Sequence, residues 1–303
     1  MQTPFNEDEL RAQQLAGGGS TGGGIREFMP QQHRDFFSML PYIFVGVLDE
    51  RGWPLATMLT GAAGFVQSPD AVTLRINALP SADDPAATAF VENRDIALLG
   101  LDFSNRRRNR ANGIIAAHDA DGLTVAVRQS FGNCPQYIQL RDMHPSARTA
   151  NKTEQFDHLD ERATALITRA DTFFIASRAR SGVGAAHGAD ISHRGGRQGF
   201  VHVEGNVLTV PDFRGNRYFN TLGNLLGDSR AALLFLDFET GDILQIQGTA
   251  EIDWQTNNSV PEGAERIWRC HVNRAWWRRA AMPFTGTFLE FSPTSLGTGV
   301  WPA

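Results

Sequence analysis

Ile96-Ala97-Leu98-Leu99-Gly100-Leu101-Asp102-Phe103 returns, with its apolar run and closing Asp-Phe intact, as Ala231-Ala232-Leu233-Leu234-Phe235-Leu236-Asp237-Phe238. A short continuous apolar run bounded by turn residues reads as a strand buried on both faces. The two runs lie 135 residues apart, and the same offset carries Gly64-Phe65-Val66 onto Gly199-Phe200-Val201 and Asn112-Gly113 onto Gln247-Gly248. Three separate matches in one register, with no gap between them, imply a duplicated unit. The period is too long for a solenoid repeat and is the length of a small barrel domain.

Around each run the sequence predicts short strands separated by turns. In the first copy, residues 31–40 (QQHRDFFSML) read as a helix stopped by Pro41. Tyr42 to Leu48, Pro54 to Thr60, Gly64 to Gln67 and Val72 to Ile76 read as strands, with Ser68-Pro69-Asp70 as a turn. Asp84-Pro85, an N-cap followed by proline at the first helical position, predicts a helix running toward Asn93. Ile114 to Ala117 and Leu123 to Gln129 form a hairpin around Asp119-Ala120-Asp121-Gly122, and residues 151–169 suit a connecting helix. The order then begins again: strand Thr172 to Ser177, a hairpin around Glu204-Gly205-Asn206, a short helix over 219–227, and strands Ala231 to Phe238 and Asp242 to Ile252. Short strands at regular spacing favour a barrel over a sandwich.

The chain has 303 residues, 42% hydrophobic and 20% charged, enough apolar content for a real core. Its net charge of −5 argues against general binding to nucleic acid or an anionic membrane. No apolar run reaches the ~18 residues of a membrane helix. The acidic start (Glu7, Asp8, Glu9) has no apolar core of a secretory signal, so a cytoplasmic location is expected. Cys134 and Cys270 form neither a disulfide framework nor a metal spacing and read as reduced thiols. The tract from Gly17 to Gly24 reads as a flexible linker, since no strand precedes it and no Gly-Lys-Ser/Thr follows.

The most informative difference between the copies lies in one stretch. The second holds Arg214-Gly215-Asn216-Arg217-Tyr218-Phe219-Asn220-Thr221-Leu222-Gly223-Asn224 at the entry to a helix. Moved back by 135, Arg217, Asn220, Thr221 and Asn224 fall on Ala82, Pro85, Ala86 and Ala89, so the polar set exists in one copy alone. A helix N-terminus with free N–H groups, fork donors and small polar side chains is what a phosphate monoester requires. The residues alone equally allow a plain helix cap with solvated arginines. Upstream, Asp190, Ser192 and Arg194 share one face of a strand and suggest a lined pocket, or else an exposed hairpin edge. In the first copy, Arg106-Arg107-Arg108-Asn109-Arg110 precedes Gly113, so alternate arginines of a strand face one cleft unless the charges are simply solvated.

Taken together, Asp190-Ile-Ser-His-Arg194, Gly199-Phe-Val201, the Arg-Gly-Asn-Arg and Thr-Leu-Gly-Asn-Leu-Leu segments and Gly248 resemble the FMN-binding pyridoxamine 5'-phosphate oxidase-like proteins. The first copy's Arg106–Gly113 stretch and Ser130-Phe-Gly-Asn-Cys-Pro-Gln-Tyr-Ile138 resemble tandem members of that superfamily, and the likeness covers roughly residues 30 to 291. The resemblance implies a mainly β chain of two six-stranded split β-barrel units forming a pseudo-dimer. Its layout is a flexible Gly-rich segment and short helix over 1–40 and a first copy with a degenerate phosphate site over 41–150. A connecting helix over 151–170 and a second copy carrying the FMN phosphate site over 171–295 complete it. It implies that Asn216, Arg217, Thr221 and Asn224 hold the phosphate. Asp190, Ser192 and Arg194 would lie along the ribityl chain and ring, Gln245 would point at the flavin or its pocket, and Arg108, Asn109, Asn133 and Tyr137 would come from the first copy. The implied function is an FMN-dependent oxidoreductase acting with a small-molecule substrate or NAD(P)H. The alternatives are a non-catalytic flavin-binding or haem-binding split barrel, the latter with His187 or His193 as ligand, or a colourless interaction scaffold; a homodimer is a further expectation. The basic and aromatic pattern that holds the substrate phosphate of the biosynthetic oxidase has no convincing match in Arg274-Ala-Trp-Trp-Arg278, so that reaction is not implied. No iron–sulfur spacing, HExxH or Gly-x-Ser-x-Gly is present, and no metal site is expected. Gly182-Val-Gly184-Ala-Ala-His187-Gly188 departs from a dinucleotide fingerprint because Asp190-Ile-Ser does not continue as a long helix.

Overall fold

The structure is a computed structural model that describes residues 3–147, 152–180, 186–255 and 259–302. Helix α1 (Glu7–Leu15) precedes the first copy, which holds α2 (Gln31–Met39), β1 (Tyr42–Leu48), β2 (Pro54–Thr60), β3 (Val66–Asp70), β4 (Thr73–Ile76), β5 (Asp95–Asp102), β6 (Arg107–His118) and β7 (Leu123–Gly132). Strands β8 (Leu140–Pro145) and β9 (Glu154–Phe156) lead to the second copy. This holds α3 (Glu161–Arg169), β10 (Thr172–Arg178), β11 (Ala189–Gly195), β12 (His202–Glu204), β13 (Val207–Phe213), α4 (Asn220–Gly227), β14 (Arg230–Leu236), β15 (Ile243–Asp253) and β16 (Ala264–Arg278). The chain closes with β17 (Phe284–Glu290) and α5 (Pro293–Leu296).

Each copy is a split-barrel sheet of seven strands, one more than expected. The orders β2-β1-β5-β6-β7-β4-β3 and β11-β10-β14-β15-β16-β13-β12 are the same path in chain sequence. Finer marks repeat too. A bulge falls between Asn112 and Gly113 and again between Gln247 and Gly248. Gly64 and Gly199 both take the left-handed region (φ 84° and 86°), which admits glycine freely, and in each the following phenylalanine N–H closes a turn onto the residue three before it.

The apolar runs are strands buried on both faces, and the alternation divides their side chains between two cores. On β5, Ile96 and Leu98 enter the first copy's core, while Ala97, Leu99 and Leu101 enter a central core shared by both copies. On β14, Ala231, Leu233 and Phe235 enter the second copy's core, and Ala232, Leu234 and Leu236 the shared one. At its centre Phe44 of β1 stacks on Phe174 of β10, rings 3.6 Å apart and 17° from parallel. These two residues hold the same register position, opposite Leu99 and Leu234 respectively, so the stack marks a pseudo-twofold axis.

Three expectations fail. The segment after Asp84 forms a single 3-10 turn, Ala87–Ala89, in place of a helix to Asn93. Ala86 and Ala89 pack flush into the first copy's core, and Asn93 turns the chain at φ 63°. The segment expected as a connecting helix contains β9, which pairs with β16, before α3 begins at Glu161. Ser68-Pro69-Asp70, expected as a turn, lies in β3. Gly182 and Gly184 lie outside the described residues, as does the first copy's boundary at residue 150. Among the described residues no helix is long and apolar enough to cross a membrane.

Because both phenylalanine rings are fully buried, Phe44→Ala removes one side of the axial stack and is expected to cost about 3–5 kcal/mol. Urea unfolding of the two chains, compared at equal m-value, measures that loss.

Candidate functional site

A pseudo-twofold pair of split barrels creates two equivalent positions for a cleft, each walled by both copies. One is open. Its walls are the entry to α4, β11, the end of β13 and the start of β16 from the second copy, with the start of β6 and the 133–137 loop from the first.

The floor is a charged network. Arg110 donates from Nη1 to Oδ1 of Asp190 and from Nη2 to Oγ of Ser192, both at 2.7 Å, and Asn112 donates to the same Asp190 oxygen at 3.1 Å. Thr221 in the first turn of α4 donates to Ser192 Oγ at 2.9 Å, so helix, strand and opposite copy meet at one hydroxyl. The Arg110 and Asp190 side chains are each 5% exposed; breaking such a pair by removing one partner costs about 3–5 kcal/mol. The chain enters α4 through Arg217 (φ 60°) and Phe219 (φ 61°), two left-handed non-glycine residues held by their surroundings.

Deeper along the cleft, Asp212 pairs with Arg266 at 2.6 Å and stands 3.9 Å from Arg194. Burial pushes the Asp212 carboxyl up against the pull of these two guanidiniums. His193 accepts from Arg108 at Nδ1 (3.1 Å), and burial with the adjacent guanidiniums of Arg108 and Arg194 holds it well below the usual imidazole range. Nε of Arg108 and Arg194, Nε2 of His193 and Oδ1 of Asn133 are buried without a partner. Buried polar atoms are normally bonded, and the donors among these, the two arginine Nε–H groups and the imidazole, fit an anionic ligand, whereas Asn133 Oδ1 is an acceptor.

The N-terminal segment, expected as a flexible linker, folds against this site. Asn6 and Glu9 form a reciprocal capping box that starts α1. Helix α1 then lies on α4 at Gly223, where a Cβ would strike the Glu9 backbone. Arg217 donates from Nη2 to the carbonyls of Ala16 (2.8 Å) and Gly18 (2.6 Å), so the predicted phosphate anchor lines the cleft while also tying down the glycine tract. Glu9, 5% exposed, accepts from Asn220 Nδ2 at 2.5 Å. Burial raises its carboxyl to about 7, although the bonds from Asn220 and the Asn6 backbone lower it and Asp190 raises it further.

The second position is closed. There Thr57 stands where the open cleft has Ser192, and Gln245 stands where it has Arg110. Arg278, the register counterpart of Asn133, donates to Asp84 Oδ2 at 2.7 Å and to Ser81 Oγ at 2.7 Å. Thr57 donates to the same carboxylate at 2.5 Å, and Gln245 donates to Asp84 Oδ1 (3.2 Å) and the Ala56 carbonyl (2.8 Å). Trp276 fills the rest by packing into the first copy's core.

Of the residues expected at the site, Arg108, Ser192, Arg194, Asn216, Arg217 and Thr221 line the open cleft, as do Asn133 and Tyr137. Asp190 lies beneath it, bonded to Arg110 and Asn112. Asn224 lies one turn further along α4, bonded to Asn6 and Ser177. Asn109 is buried and is not part of the lining. Gln245 belongs to the closed position, because each cleft takes its β6 or β15 wall from the opposite copy. Residues not singled out beforehand are Glu9, Asp212 and Arg266; the Asn6-x-x-Glu9 spacing carried the signal for the first.

No protein-family model matches the chain, and no curated protein matches it. Among solved structures, HupZ of Group A Streptococcus is similar at 14% identity and TM-score 0.30, over 39% of this chain and 91% of that one. An FAD-binding protein of Mesorhizobium loti is similar at 10% identity and TM-score 0.28, over 42% of this chain and 98% of that one.

A carboxyl raised by docking favours the docked state while protonated. The Glu9 contribution to α1 docking is therefore full below its ordinary 4.5 and falls as pH rises to about 7. Hydrogen exchange of the α1 amides, corrected for intrinsic rates, should report more frequent opening at pH 8 than at pH 5. Glu9→Gln should flatten that dependence; an unchanged slope would assign it elsewhere.

Proposed function

We propose that the chain is an FMN-binding oxidoreductase with one cofactor site per chain, in the open cleft. The observation that carries this reading is the contrast between equivalent positions. One is plugged by Arg278, Asp84 and Trp276, while the other opens onto the entry of α4 with guanidiniums around it. In this reading Asn216, Arg217, Asn220 and Thr221 at the helix entry hold the phosphate, where N–H groups and helix polarity favour an anion. Ser192, already fixed by Arg110 and Thr221, positions the chain that follows. Arg194 borders the ring end and biases its electron density. Bound FMN supplies hydride or electron transfer, and the protein supplies anchoring, electrostatics and shelter from water. The remaining partners, a small-molecule substrate or NAD(P)H, reach the site through the cleft mouth.

The test is uptake of FMN by the purified chain, followed as flavin absorbance near roughly 370 and 450 nm. The expected result is one FMN per chain, with binding weakened at least ~10-fold in Arg217→Ala. Two FMN per chain, or Arg217→Ala binding as tightly as the parent, overturns the assignment. A Soret band in place of flavin absorbance would move the cleft to haem, and FMN binding without reduction by NADH or NADPH would leave a flavin carrier.

A further inference from the structure

The cleft has two tiers of positive charge. The tier nearest α4 is compensated, since Arg110 has Asp190 at 2.7 Å. The next tier lies two residues along both strands, Arg108 on β6 and Arg194 on β11, roughly 6.6–6.8 Å further on. Its Arg108 is not compensated. The Arg108 guanidinium bonds Nδ1 of His193, its Nε is buried without a partner, and no ion pair to it exists among the described residues. Arg194 has Asp212 at 3.9 Å, but that carboxylate already pairs with Arg266 at 2.6 Å. His193 is 4% exposed; because Nδ1 accepts from Arg108, its proton sits on Nε2, which is buried without an acceptor. Around this tier the guanidiniums of Arg108, Arg110, Arg194 and Arg266 outnumber the carboxylates of Asp190, Asp212 and Glu265, the last paired with Arg266 at 2.7 Å. A half-buried charge without a counter-charge is costly, and an anion seated in the cleft would supply that counter-charge.

We infer that Arg108, braced by His193, and Arg194 form an anion subsite for the acid group of a second ligand, so that the substrate is a small organic acid seated beside the cofactor. This deepens the flavin reading and rests on it for the cofactor, but the charge imbalance stands without it. An oxidised flavin ring is neutral and leaves the Arg108 guanidinium uncompensated; an ionised carboxylate or phosphate does not. Two guanidinium forks lining one cleft suit a flat carboxylate, which accepts paired N–H bonds.

Benzoate is the probe, a flat monocarboxylate. It is titrated into the FMN-free chain by calorimetry and into the FMN-loaded chain by the change in flavin absorbance. The parent is expected to bind it in both forms, Arg108→Gln and Arg194→Gln to bind at least ~10-fold more weakly, and Arg108→Lys to recover part of the loss because it keeps the charge. Arg217→Ala, by contrast, weakens FMN and leaves benzoate bound. Benzoate that fails to bind, or binds all variants alike, overturns the subsite. If Arg108→Gln weakens FMN as much as Arg217→Ala does, the tier belongs to the cofactor phosphate and the acid-substrate inference falls. If the chain takes up no FMN, the flavin reading fails alone, and the calorimetric arm still decides the subsite.

Discussion

The stack of Phe44 on Phe174 fixes where everything else stands. Two residues of the same register position lie face to face, one from each copy, and the shared core spreads outward from them through Leu99 and Leu234, Ala97 and Ala232. A strand that must bury both faces has no solvent side, so the eight-residue runs could not drift in register without exposing one core or the other. Once that axis is set, each β6-type strand is presented to the opposite copy's β11-type strand. The arginines of the first copy thereby become the wall of the second copy's cleft.

Much of this was legible in the sequence, for a physical reason. The offset of 135 residues recurs at several places where the backbone does something unusual: the double-faced runs, the left-handed Gly64 and Gly199, the bulges at Gly113 and Gly248. Such positions tolerate few residue types, so they keep their identity through divergence of the rest. The cleft-lining residues were legible through strand alternation, which puts Arg108 with Arg110 and Ser192 with Arg194. Gln245 was misplaced because sequence proximity to Gly248 ties it to the second copy, whereas the cleft in that copy is walled from the other side. The offset itself held the correction: moved back by 135, Gln245 falls on Arg110, and the two residues face opposite clefts.

What could not be read locally was set by tertiary contact. A glycine tract preceded by a short polar helix has no packing signature of its own, yet α1 lies on α4 because Gly223 leaves room for the Glu9 backbone and Arg217 holds the carbonyls of Ala16 and Gly18. Asp84 looked like a helix cap and does accept from the Ala86 N–H. Its other oxygen is taken by Thr57 and Arg278, and the alanines that follow are drawn into the core before a second turn can form. Propensity gave way in both places to what the neighbouring element needed.

The covalent joining of the two copies also changes how the cleft responds to dilution. Where two separate chains supply the walls of a site, the site exists only at concentrations that keep the chains associated. Here Arg110 and Ser192 belong to one polypeptide, β9 ties the connecting segment to β16, and the effective concentration of one wall for the other is set by the linker. The same joining lets one position be filled by Arg278 while its counterpart stays open, since a substitution in this chain occurs once and is not copied by symmetry into both sites.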